Sequence, residues 1–218
     1  MNQASNGAFD PSIQPLWRLY ANWFSAHPGS KGPPEKSLAA ARELVNFNQI
    51  KIDDATIRLA AGQAISLNGI AQGYITDRIS HMLKQAGWHH VLVNLGEYRA
   101  IDGKPDGSPF RLGLAGAQLE TDLSDMALAS TSPDGFVFPG SQNGSRNTTG
   151  HVIDPRTGIT PQGWQTVHVR HRSAATADGL STAFAILDTN AIQSVIKSFT
   201  GTTAWAVAPN GDVSRFQS

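Results

Sequence analysis

The chain has 218 residues, of which 40% are hydrophobic and 16% charged, with 17 basic side chains against 17 acidic ones. That length allows a real core, in one large domain or two small ones. Zero net charge without a Lys/Arg cluster argues against a nucleic-acid or anionic-membrane surface. The lack of cysteine excludes disulfides, thiolate metal sites and thiol nucleophiles.

In chain order, MNQASNGAFDP has neither the basic nor the apolar region of a signal peptide, and no later stretch is apolar for long enough to span a bilayer. A helix is expected after Asp10-Pro11, carrying Leu16, Trp17, Tyr20, Trp23 and Phe24 on its apolar faces. HPGSKGPPEK reads as a loop, residues 37–46 as a second helix, and short strands are expected near Ile50 and over 56–59. From Ile70 the apolar residues Ile75, Ile79, Met82 and Leu83 recur at helical spacing until Gly87. Gly69 therefore stands at or just before a helix N-terminus, where the first amides lack intrahelical partners and a ligand can approach the main chain. The plainer reading makes Asn68 an ordinary N-cap.

HHVLVNLG predicts a buried strand ending at Gly96, and DGKPDGSP an exposed turn. Strands are expected over 110–114, 126–130 and 165–170, where TVHVR alternates. Helices are expected over SAATADGLSTAFAIL and 190–199, and TAWAVA–PNG–DVSRF reads as a closing hairpin. Helices and strands interleave without a regular βαβ rhythm, so the expected class is α+β.

Three places concentrate chemistry. Asp178 and Thr182 in ADGLSTA share one helix face and offer hard oxygen donors suited to Mg²⁺; the alternative is an exposed Asp beside a Thr bonded back to its own helix. HVIDPRTG sets His151, on an expected strand, before a turn made by Asp154-Pro155 and Thr157-Gly158. His151 is either a general base or phosphate ligand, or a satisfied partner of the turn. ASTSPDG supplies the hydroxyls of Ser130, Thr131 and Ser132.

Taken in order, SLNGIAQGYITDR, VLVNLGE, LASTSPDG, HVIDPRTG and ADGLSTAFAIL resemble the ApbE family of FAD:protein FMN transferases, and NGIAQGY is similar to its NosX-like branch. The resemblance runs from NGAFDPSIQPLW to the C-terminus. It implies a single domain over 1–218 of mixed, largely antiparallel sheets with flanking helices, related to the T-fold. It also implies a chain shorter at its N-terminus than the family.

The implied activity is Mg²⁺-dependent transfer of FMN from FAD to a Thr or Ser hydroxyl of a target flavoprotein, with release of AMP. The implied partner is a flavoprotein subunit of a respiratory or redox complex. The implied location is periplasmic or membrane-facing and extracytoplasmic, with the cytoplasm left open by the absence of a signal-peptide pattern. The alternatives are a non-catalytic or truncated accessory protein that binds FAD, or a Mg²⁺-dependent FAD pyrophosphatase. By the same resemblance the Gly69 carbonyl, Asp178 and Thr182 hold Mg²⁺, and His151 takes the acceptor's proton. Gln72 and Ser66 face FAD where the family usually has Lys and Asp, and Tyr20 and Val152 fall where it contacts flavin. The helix after Gly69 and the helix of ADGLSTA are therefore expected to converge at their N-terminal ends. A short front predicts exposed aromatic surface around Trp17, Tyr20 and Trp23.

Overall fold

The computed structural model describes residues 1–141 and 149–218. The chain divides into two compact units, one of Asn2–Leu67 and Pro133–Gln162, the other of Met1, Asn68–Ser132 and Gly163–Ser218.

The first unit is mainly helical. Asp10 caps a short 3-10 turn at Pro11–Ile13, its Oδ1 accepting from the Ser12 N–H at 2.8 Å, and α1 (Gln14–Ala26) continues from it. After the proline-rich loop comes α2 (Glu35–Glu43), which starts earlier than the apolar spacing predicts. Pro34 at its N-cap and the Glu35 carboxylate in its first turn favour that start. β1 (Lys51–Asp53) and β2 (Thr56–Arg58) form an exposed antiparallel hairpin.

Leu16, Tyr20 and Phe24 of α1 form a core with Phe138 and Ile153, supplied by the unit's second segment. Tyr20 stacks on Phe24 at 6.1 Å and on Phe138 at 5.9 Å, and its hydroxyl donates to the Gly158 carbonyl at 2.7 Å. The expected open aromatic patch is therefore absent. Tyr20 is 5% exposed, Trp17 lies 5.1 Å from the Phe138 ring, and Trp23 stacks on His27 while donating to Ser30 Oγ. For Trp17 and Tyr20 the cover comes from Phe138 and Gly158, far along the chain, which local spacing does not reveal.

The second unit opens with α3 (Ala71–Gln85), followed by β3 (Val91–Asn94), β4 (Tyr98–Ile101), β5 (Phe110–Leu114), β6 (Leu119–Leu123), β7 (Ala127–Thr131) and β8 (Thr166–His171). It closes with α4 (Ala174–Phe184), α5 (Thr189–Val195), β9 (Thr203–Val207) and β10 (Val213–Gln217). Six strands make one antiparallel sheet in the order β10-β9-β8-β7-β4-β3, and β5-β6 is a separate hairpin. The mixed, largely antiparallel class expected from the sequence is the one observed.

α4 packs on β7 and β8, while α3 packs on α4, β3 and β4. The other face of β8 meets the hairpin side: His168 Nε2 lies 2.9 Å from the Ala115 carbonyl and Arg170 Nη1 3.3 Å from that of Asp122. Both faces of β8 are covered, so the alternation of TVHVR does not give a half-exposed strand. HHVLVNLG, expected to be buried, is instead the edge strand and only partly covered.

His168 is 1% exposed, and a carbonyl can only accept, so Nε2 carries the proton and Nδ1 accepts from Ser130 Oγ at 2.7 Å. Burial holds its pKa below the ordinary 6.5. Above that value both folded and unfolded chains are neutral here. As pH falls below it, the unfolded chain binds a proton that the native one resists, and stability is lost until the lowered native pKa is reached. Denaturant midpoints measured from pH 7.5 downward should fall below pH 6.5 in the wild type and fall less in His168→Gln. Equal slopes would contradict this.

Candidate functional site

α3 and α4 cap each other. Asp178 of α4 accepts the Gly73 N–H at 2.9 Å, satisfying one of the unpaired first-turn amides of α3. In return Asp77 of α3 accepts from Ser173 Oγ (2.8 Å) and from the Ala174 and Ala175 N–H groups (2.9 and 3.0 Å) at the start of α4. Arg99 of β4 lies 3.3 Å from Asp77 and holds it in place. Gly73 permits the crossing, since a Cβ there would sit 2.3 Å from the Ala174 carbonyl oxygen. The expected convergence of these two helices is present, built on Gly73 and Asp77, which the sequence reading did not single out.

A second carboxylate faces the same place. Glu97, in the short turn between β3 and β4, is 6% exposed and accepts the Ser130 N–H at 3.1 Å. Burial, then the nearby Asp178 charge, pushes its pKa up to about 8. Asp178 is 4% exposed, and burial raises its pKa to about 6 against the opposing Gly73 hydrogen bond. Among the described residues no basic side chain forms a salt bridge to either. Two buried carboxylates without a countercharge are costly, and a bound cation offsets that cost.

Thr182 lies one turn beyond Asp178 and is half-buried, and Gly69 is half-buried in the turn that precedes α3. No group of three or more His, Asp or Glu side chains among the described residues forms a metal cage. The available donors are hard oxygens of a carboxylate, a hydroxyl and a main-chain carbonyl. They fit Mg²⁺, which takes few protein ligands and completes its shell with water and phosphate.

Gln72, exposed on the first turn of α3, lies against Gly96, where a Cβ would fall 2.6 Å from its Nε2. Gly96 has φ +103°, and its N–H donates to Asn94 Oδ1. The hydroxyls of ASTSPDG are engaged internally. Thr131 Oγ1 is 2.7 Å from Ser181 Oγ on α4, and Ser132 Oγ donates to Thr166 Oγ1 at 3.0 Å.

Gly69, Gln72, Asp178 and Thr182 belong to the sheet unit, whereas Tyr20, Ser66, His151 and Val152 belong to the helical unit. There the Ser66 N–H donates to the Pro11 carbonyl at 2.7 Å, and Val152 and Tyr20 are buried, with burial pushing the Tyr20 phenol up to about 12. His151 is partly exposed in a bend rather than on a strand, since the adjoining pairing is a single bridge between Val137 and Gly150. Its Nδ1 lies 3.3 Å from the Phe136 carbonyl. A carbonyl only accepts, so the tautomer that makes this contact carries its proton on Nδ1 and its lone pair on Nε2.

The turn after His151 is tied together by Asp154. Arg156 forks onto Asp154 at 2.9 and 2.8 Å, and the Gly158 N–H closes on the Asp154 carbonyl at 2.7 Å. Glu97, like Gly73 and Asp77, is a residue that sequence reasoning missed. VNLGE pointed to Gly96, and the only local signal for Glu97 was an acidic residue directly after a strand-ending glycine.

A model described as the ApbE family matches residues 1–206. The chain is 25% identical over 191 residues to the FAD:protein FMN transferase of Chlamydia pneumoniae, a match covering 84% of this chain and 59% of that protein. This chain thus spans about three-fifths of that relative's length. The apo crystal structure of the Pseudomonas stutzeri flavinyl transferase ApbE superposes with a TM-score of 0.81 at 28% identity, covering 99% of this chain and 68% of that one. The ApbE protein of Thermotoga maritima superposes at 0.83 with 24% identity, over 99% of this chain and 72% of that one, which shows the fold.

Proposed function

Because the chain belongs to the ApbE family, we propose that it is a flavin transferase moving FMN from FAD to a Thr or Ser hydroxyl of a target protein, with Mg²⁺ required and AMP released. The observation carrying this reading is the pair of buried carboxylates, Glu97 and Asp178, at the capped crossing of α3 and α4. Asp178, Thr182 and the Gly69 carbonyl would hold the ion. Bound Mg²⁺ would neutralise charge on the pyrophosphate and make AMP a better leaving group.

The remaining work falls to the chain. With the Gly73 amide taken by Asp178 and that of Tyr74 by Ile70, the Ala71 and Gln72 amides at the start of α3 present partial positive charge suited to phosphate oxygens, and Gln72 supplies a side-chain amide donor where the family usually has a lysine. His151 Nε2 takes the acceptor hydroxyl's proton as its oxygen bonds to the FMN phosphorus and the pyrophosphate P–O bond to AMP breaks. Ser66, Tyr20 and Val152 are assigned to the flavin side on the family resemblance, Tyr20 and Val152 as buried supports.

The test is incubation with FAD, Mg²⁺ and candidate acceptor proteins, read by intact mass. An FMN adduct on a Thr or Ser is expected, abolished by chelation. AMP and free FMN without an adduct would instead mean that water is the acceptor. His151→Ala should slow transfer by about 10²–10⁴-fold while leaving FAD affinity unchanged, the usual range for loss of a general base. A rate within a few-fold of wild type would remove His151 from the chemistry.

A further inference from the structure

β3 is the outermost strand of its sheet, and among the described residues nothing pairs with its free side. Val91–Asn94 carries none of the charges or prolines that blunt natural edges. α3 lies over β3 and β4, with Gly73, Thr76 and Ser80 buried and Gly73 set against α4. At about 100° per residue, Ile75 and Met82 fall on the opposite side of the helix, roughly 20° apart, with Ile79 between them and the sheet.

Ile75 is 50% exposed and Met82 57%. Trp88 (60%), after the helix, and Leu95 (43%), after β3, mark the two ends of the same edge. An apolar helix face thus stands beside an unpaired strand edge, the kind of exposed apolar surface that marks interaction sites.

The shape specifies its occupant. A free edge beside an apolar helix face admits one extended strand, whose backbone bonds to β3 and whose alternate side chains meet Ile75, Ile79 and Met82. Arg78 is exposed between Ile75 and Met82 on the helix, and no carboxylate among the described residues pairs with it, which favours an acidic residue in that strand. The far end of the edge runs directly into Leu95, Gly96 and Glu97, where Gln72 lies against Gly96.

We propose that this groove takes an extended, apolar and acidic segment of the flavin acceptor as an added strand on β3, delivering its hydroxyl to the Gly96–Glu97 end. The proposal rests on the transferase reading and names how that reaction's second substrate is held.

The probe is a set of short synthetic peptides with alternating apolar residues, one Glu, and a Thr beyond the strand, added to the full chain with FAD and Mg²⁺. Hydrogen exchange should show new protection of the amides within residues 91–94 that do not bond to β4, and mass should show FMN on the Thr. Met82→Glu should raise the peptide KM roughly tenfold or more, with the melting temperature and FAD affinity unchanged, and Met82→Leu should restore it. Protection elsewhere, or Met82→Glu behaving as wild type, overturns the proposal. So does protection, before any peptide is added, of the β3 amides that do not bond to β4: if it depends on protein concentration a second copy occupies the groove, and if not, another part of the polypeptide does. Protection at 91–94 without any FMN transfer would uphold the docking and overturn the transferase reading.

Discussion

Asp178→Asn is expected to lower Mg²⁺-dependent FMN transfer by about three orders of magnitude, because it removes the one charged side chain assigned to the ion. Loss of several kcal/mol of transition-state charge stabilisation corresponds to that factor, at 1.36 kcal/mol per tenfold. The fold should survive, since an Asn oxygen can still accept the Gly73 N–H that Asp178 now accepts at 2.9 Å.

Without added cation the variant should in fact be the more stable protein. The native Asp178 pKa, about 6, lies above its ordinary 3.8. Its contribution is therefore lost as pH rises through that window, and at neutral pH the ionised, buried carboxylate costs the native state about 1–3 kcal/mol. Kinetics and urea unfolding of the variant near neutral pH read both effects. A variant both active and destabilised would assign Asp178 to structure alone.

Gly73→Ala carries the second large expectation, on stability and activity together. Its new Cβ would lie 2.3 Å from the Ala174 carbonyl oxygen, which is backbone and cannot swing aside, so the two helices must separate. Overpacking of this kind costs about 1–3 kcal/mol, more than the roughly 1 kcal/mol by which Ala is the better helix former. Separation also pulls the Asp178 carboxylate from the α3 amide and spoils the donor set, so transfer should fall with stability. Urea unfolding and transfer assays would read both. A variant as stable and active as wild type would mean that the crossing adjusts freely and does not hold the site.

Much of this was legible from spacing and motif. The strands over 110–114 and 165–170, the closing hairpin and the Gly69-led helix all stand where alternation and turn residues put them. β6 was not legible, because LETDL has no apolar run and its exposed, charged residues become a strand only by pairing with β5. β4 escaped for a related reason: the four residues Tyr98–Ile101 carry too little pattern, and pairing with β3 and β7 defines them.

In the site, Asp178 could be read from its helical spacing to Thr182. Glu97 and Asp77 could not. Glu97 matters because its carboxylate is buried beside Asp178, and Asp77 because it receives the amides of a helix almost a hundred residues away, at |i−j| of 97 and 98. Tyr20, placed on the flavin side by resemblance, is held in the core by Phe138 and Gly158, partners that local spacing does not reveal.

The most direct measurement is the Mg²⁺ dependence of thermal stability, in the presence of FAD, for the wild type and Asp178→Asn side by side. A ligand that binds only the native state stabilises it by about 2.7 kcal/mol at a hundredfold excess over its Kd. The wild type should therefore show a clear rise in melting temperature with Mg²⁺, and Asp178→Asn almost none. Equal rises in the two proteins would place the ion elsewhere and contradict the assignment of this site.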